Sequence, residues 1–143
     1  MSKTALVTGA SSGIGEAIAT NLASRGYTVF GTSRSPRESS KGIIFLQMDV
    51  TEDSSVTAAL NELFAQSPQL DVVVNAAGLG IVGAVEEVPV SVAKTVFETN
   101  FFGTLRVIQG VLPVMRKQRK GLIINISSIG GEVGLLSGAV CGQ

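Results

Sequence analysis

The stretch TGASSGIG, residues 8–15, sets three glycines and two serines directly behind the apolar run Thr4-Ala5-Leu6-Val7. Those residue types at that spacing suit the binding of a diphosphate. Gly9 can make a tight turn at a strand end, Gly13 lets the backbone approach a ligand, and Gly15 lets a following helix pack closely on a sheet. A helix starting there, at Ile14, presents unbonded N–H groups and the positive end of its dipole to an anion. Ser11 or Ser12 either caps that helix or donates a hydroxyl to phosphate. A glycine-rich turn alone is common; the strand before it and the helix after it give this one its weight.

About 20 residues further on, an acid would bind the ribose 2′-hydroxyl of NAD. The sequence has Gly31-Thr32-Ser33-Arg34 there, with no acid. Arg34 is placed to meet a 2′-phosphate, which a guanidinium can grip with two parallel hydrogen bonds. The competing reading is a solvated loop cation. The expected cofactor is therefore NADP in preference to NAD.

The elements that must carry these residues follow from hydrophobic period. Strand-like runs occur at 4–7, 27–30, 43–46, 72–74 and 122–126. Between them Ile14, Ile18 and Leu22 recur at helical spacing, Val56, Leu60, Leu63 and Phe64 share a face, and a long helix is expected from about Val90 to Lys117. Continuous apolar strands separated by helices predict an α/β fold, a doubly wound parallel sheet covered on both faces. The segment SPRESSK, between Arg34 and Gly42, has no apolar period and carries Pro36, which predicts a loop. No linker or repeat divides the 143 residues, so one domain over 1–143 is expected.

Composition removes several functions. Lys plus Arg equals Asp plus Glu at 11 each, so no one-signed field favours nucleic acid or an anionic membrane, and neither is an expected partner. The sequence has no histidine and one cysteine, which excludes histidine-based hydrolytic sites, a thiolate zinc site and an internal disulfide; no metal is expected. The apolar tail from Gly121 to Cys141 is interrupted by Asn125, serines and Glu132, so it does not read as a membrane span. The N-terminus lacks the apolar run of a signal peptide, and a cytoplasmic setting is expected.

Taken together these motifs resemble the N-terminal part of the short-chain dehydrogenase/reductase family, NAD(P)-dependent oxidoreductases on a Rossmann fold. The resemblance covers essentially the whole chain. It implies a sheet of about five strands in the order 3-2-1-4-5. TGASSGIG resembles the family's TGxxxGxG cofactor loop. Asp49-Val50 resembles the pair that meets the adenine, although Asp49 reads equally well as a turn residue ahead of a helix near Thr51. Asn75-Ala76-Ala77-Gly78 resembles the family's NAG motif, which ties the fourth strand to its neighbours and opens the cofactor site. Asn100, in ETNFFG, resembles the helix asparagine of the proton relay, and Ser128, in NISS, the serine that hydrogen-bonds the substrate oxygen; the alternatives are a polar helix residue and a turn serine.

The family continues with a Tyr about a dozen residues after that serine and a Lys four residues later, as YxxxK. Counting from Ser128 lands on Cys141, and the lysine position lies past Gln143. The one tyrosine, Tyr27, falls at an expected core position. The ending is expected to be a truncation or frameshift, with Cys141 a free thiol on a frayed end. Three functions fit: an NADP-dependent oxidoreductase acting on a carbonyl or alcohol but catalytically incomplete as given, a dinucleotide-binding or protein-interaction module without turnover, and an enzyme with a replacement acid, against which the missing YxxxK weighs. Self-association is expected through the helix near 90–117 or through an uncovered sheet face at strands 72–74 and 122–126.

Overall fold

The structure, a computed structural model, describes residues 2–128 and 139–140. The apolar runs form strands: Thr4–Val7 (β1), Thr28–Ser33 (β2), Ile43–Gln47 (β3), Val72–Asn75 (β4), Ile81–Val82 (β5), Leu122–Asn125 (β6) and Ala139–Val140 (β7). The helices are Gly13–Ser24 (α1), Asp53–Gln66 (α2), Val90–Phe97 (α3) and Thr104–Gln118 (α4). A π turn, Glu98–Gly103, joins α3 to α4 without a break, and Val85–Glu87 forms a 3₁₀ turn. The segment between β2 and β3 is a loop, as its lack of apolar period predicts.

Five strands pair in parallel in the order β3-β2-β1-β4-β6. This is the expected Rossmann order; β6 is fifth in the sheet because the two-residue β5 intervenes in the chain and pairs antiparallel with β7 instead. Right-handed crossovers place successive helices on defined faces. Along β1, Leu6 points to one face and Val7 to the other, and each anchors its own core. With Leu6 pack Phe30, Leu46 and Val73 of the sheet, Val56, Leu60 and Leu63 of α2, and Val107, Val111 and Met115 of α4. With Val7 pack Val29, Ile43, Val74 and Ala19 of α1. Fully burying a side chain such as Leu63 stabilises by about 1.5–3 kcal/mol relative to leaving it exposed.

Asp71 clips three strands together at their N-terminal edge. Its carboxylate accepts from the Thr4 amide at 2.9 Å and meets Lys120 Nζ at 3.0 Å, while its own amide donates to the Thr4 carbonyl and its carbonyl accepts from the Leu122 amide. The amide hydrogen bond from Thr4, with Lys120 and Lys3 adding to it, holds the Asp71 carboxyl below the usual carboxylate range.

Two details differ from the expected pattern. Ile14 does not join Ile18 and Leu22 on the core face; it is 63 % exposed, in the first turn of a helix that begins one residue earlier, at Gly13. Val74 is buried rather than left bare, in the cluster that holds Val7, Ala10 and Ala19. On the next strand Leu122 and Ile124 are exposed on that same face.

Candidate functional site

The carboxyl ends of β1 to β4 open into a cavity of about 460 Å³. Its floor is the glycine turn. Gly9 has φ +65°, and a Cβ there would lie 2.8 Å from Ala77 Cα, so only glycine lets the loop after β1 touch the loop after β4. A Cβ on Gly15 would lie 2.2 Å from the Gly9 carbonyl oxygen, so glycine is also what lets α1 start this close to β1. Ser12 stands at the N-cap of α1 with its side chain making no capping hydrogen bond. The N–H groups of the first turn are therefore left for a ligand.

Thr8 is the residue that pattern reading passes over. It is buried, and its Oγ1 accepts from the Ala76 amide at 3.0 Å and the Ala77 amide at 3.1 Å. One hydroxyl thus fixes the fourth-strand loop against the glycine turn. A buried threonine beside the first glycine is the only trace of this in the sequence. Thr32, Ser33, Thr51, Leu79, Thr95 and Thr99 also line the cavity.

Of the sequence candidates, Gly9, Ser11, Ser12, Ile14 and Gly15 line it, as do Arg34, Asp49, Val50, Ala76, Ala77 and Gly78. Gly13 does not; with φ +56° it sits on the outer side of the turn, beside the Glu16–Lys41 ion pair. That pair, at 2.7 Å, and Arg37 stacked 5.7 Å over the Phe45 ring hold the β2–β3 loop that begins at Arg34. The Arg34 side chain is exposed, and no side-chain hydrogen bond or ion pair engages its guanidinium among the described residues.

Asp49 sits at the far wall in the turn geometry that the sequence left open. Its Oδ1 accepts from the Thr51 amide at 2.9 Å and from the Thr51 hydroxyl at 2.7 Å. The Thr51 amide is the main cause holding its carboxyl below the usual range, the Thr51 hydroxyl comes second, and Arg34 adds a smaller pull. The helix it precedes, α2, begins at Asp53.

Asn75, Asn100 and Ser128 are not on this cavity wall. Asn75 is buried; its Nδ2 donates to Asn125 Oδ1 at 2.9 Å, tying β4 to β6, and its Oδ1 has no hydrogen-bond partner among the described residues. Asn100, in the π turn, is buried and spends both ends of its amide on one residue. Its Oδ1 accepts from the Leu79 amide and its Nδ2 donates to the Leu79 carbonyl, both at 2.8 Å. Asn75 and Asn100 line a second, more apolar space of about 340 Å³ with Asn125 and Ser127. Ser128 follows β6 and is half-buried. Cys141 lies outside the described residues.

The glycine turn, without a side-chain cap, lies at the carboxyl end of the central strand of a doubly wound sheet, at the point where the strand order reverses and where such sheets take their ligands. The family model for short chain dehydrogenases matches residues 3–141. The chain belongs to the short-chain dehydrogenases. Among relatives of this family, 3-ketodihydrosphingosine reductase of Bacteroides thetaiotaomicron is 45% identical over 130 residues, which are 91% of this chain and 48% of that protein. Retinol dehydrogenase 8 of Bos taurus is 37% identical over 94% of this chain and 47% of its own. The chain spans about half the length of these curated relatives. The structure of ElxO with NADP bound superposes with a TM-score of 0.88 at 32% identity, covering 96% of this chain and 60% of that one. An actinorhodin polyketide ketoreductase variant with NADPH gives 0.87 at 34% identity, covering 95% and 57%. Among the described residues no helix is long and apolar enough to cross a membrane, and no cluster of acidic or cysteine side chains could hold a metal ion.

Proposed function

We propose that this chain is the cofactor-binding part of an NADP(H)-dependent oxidoreductase that interconverts a carbonyl and an alcohol, and that it does not turn over substrate by itself. The observation that carries the reading is the pairing of an uncapped glycine turn with Arg34 across one cavity, in a site with no acid at the end of β2. The residues fit the dinucleotide. The backbone of residues 9–12, 14 and 15 and the Ser11 and Ser12 hydroxyls would hold the diphosphate, Arg34 would pair with the 2′-phosphate, the turn at Asp49 and Val50 would bound the adenine, and Ala76 to Gly78 would line the way toward the nicotinamide. When bound, NADPH supplies the hydride. Relatives named as reductases and dehydrogenases, and two solved structures holding NADP or NADPH, support this class.

Reducing a carbonyl also needs a proton for the substrate oxygen. A phenol of pKa about 10 must be brought toward working pH by a neighbouring ammonium before it can pass a proton to the substrate oxygen. The one phenol, Tyr27, packs against the Val7 core at the start of β2. Ser128 is then a substrate-positioning residue, and Asn100 has its side-chain amide engaged by Leu79.

Titrating the chain with NADPH and NADH by fluorescence, then assaying NADPH oxidation with a panel of aldehydes and ketones, tests both halves. The expected result is binding of NADPH without oxidation. Failure to bind either dinucleotide overturns the first half, and substrate-dependent oxidation lost in Ser128→Ala overturns the second. A protein-interaction role is favoured by a separate observation, the exposed Phe97, Phe101, Phe102 and Leu105 on the π turn and the helices flanking it, and self-association through that face is part of the proposal.

A further inference from the structure

Arg106 lies outside the cavity, yet it touches three segments that shape it. On the first turns of α4, its Nε pairs with Asp53 at the start of α2, its Nη2 reaches Glu98 at the start of the π turn at 2.5 Å, and its Nη1 donates to the Val50 carbonyl at 3.3 Å. Its side chain is only 24% exposed. Between these contacts the π turn presses on the same wall. A Cβ on Gly103 would lie 2.7 Å from Val50 Cγ2 and 3.2 Å from the Val50 carbonyl oxygen, so Val50 packs directly on the Gly103 backbone. The same π turn carries Asn100, whose amide holds the Leu79 backbone by both its N–H and its C=O. Val50 and Leu79 both line the cavity, at opposite ends of this chain of contacts.

We propose that Arg106 is a positioning residue that, through the π turn, sets the two walls of the dinucleotide cavity at Val50 and Leu79 relative to one another. The inference rests on the cofactor reading above for its consequence, but its physical content is a coupling between two backbone segments. Glu98 and Asp53 fix the guanidinium fork, and the fork fixes the Val50 carbonyl. The extra residue of the π turn then lets Gly103 sit against Val50 while Asn100 faces Leu79. Rigid packed elements with discrete arrangements transmit such a coupling.

The test compares the unmodified chain with Arg106→Ala and Arg106→Gln, the latter keeping the stem and one amide donor in case the alanine variant does not fold. Two readings are taken: hydrogen exchange of the Leu79 amide without ligand, and affinity for 2′,5′-ADP by calorimetry. The expected result is a rise of about tenfold in Leu79 exchange and a loss of about tenfold in 2′,5′-ADP affinity, a difference that corresponds to about 1.4 kcal/mol. Leu79 exchange unchanged in a folded variant overturns the coupling, whatever the melting temperature does. If the unmodified chain binds no adenine nucleotide, the cofactor reading fails, while Leu79 exchange still decides whether Arg106 couples the two walls.

Discussion

Removing the Arg34 guanidinium tests the cofactor assignment at its most specific point. Arg34 is exposed at the rim of the cavity, and no side-chain partner competes for it among the described residues. Hydrogen bonds to charged groups contribute about 1.5–3 kcal/mol when shielded, whereas exposed ion pairs give only about 0.2–1 kcal/mol. A planar fork on a doubly charged phosphate at a rim falls between these limits, at about 1–2 kcal/mol, or about five- to thirtyfold in affinity. Arg34→Ala should therefore raise the dissociation constant for NADPH by that factor and leave NADH almost unchanged. The assay is fluorescence titration of both cofactors against both proteins. Because the contact faces solvent, the NADPH preference should also shrink as salt is added. Equal affinity for the two cofactors in the unmodified chain, or an equal loss for both in the variant, would refute the reasoning.

Other consequences follow from groups described above. Thr8→Val keeps the shape but leaves the Ala76 and Ala77 amides without their acceptor, which should lower stability by about 1–3 kcal/mol in urea unfolding and weaken NADPH binding; an unchanged midpoint would contradict the role given to that hydroxyl. Asp49 and Asp71 have folded-state pKa values below their unfolded ones, so their contribution is present above the unfolded value of about 3.9 and is lost as pH falls through the lower folded value. Asp71→Asn should flatten the loss of stability on acidification below about pH 4, while costing stability at neutral pH. Sedimentation at tens of micromolar should show species larger than a monomer, reduced by Phe101→Glu; a monodisperse monomer that binds no hydrophobic dye would contradict self-association through the exposed aromatic face.

The sheet was legible because each strand is short, apolar and bounded by turn residues. Buried parallel strands cannot avoid that signature, and every one of the five was located to within a few residues. The loop between β2 and β3 was equally legible from its missing period. The two-residue strands β5 and β7 were not, because two residues carry no period at all; they pair with one another. Gly9 and Gly15 could be read from type and spacing, since close backbone approach leaves no room for another residue there, whereas Gly13 lies off the cavity with open space around it.

What escaped reading was the set of contacts that join these residues across the chain. Ile14 keeps helical spacing with Ile18 and Leu22 yet faces solvent in the first turn of α1. The run from Val90 to Lys117 reads as one helix, and it is one; but apolar period does not reveal that its middle turn is π, which advances the side chains after it by an extra position. That single insertion lets Gly103 meet Val50 and Asn100 meet Leu79 in the same turn. Asn100 and Arg106 are each ordinary polar residues in an amphipathic helix until the turn between them is known. Their partners lie 21 and up to 56 positions away in the chain, a separation that only tertiary packing closes. Sequence patterns are local and therefore identify the parts of such a site, whereas the fit between its walls is set by contacts with no local signature.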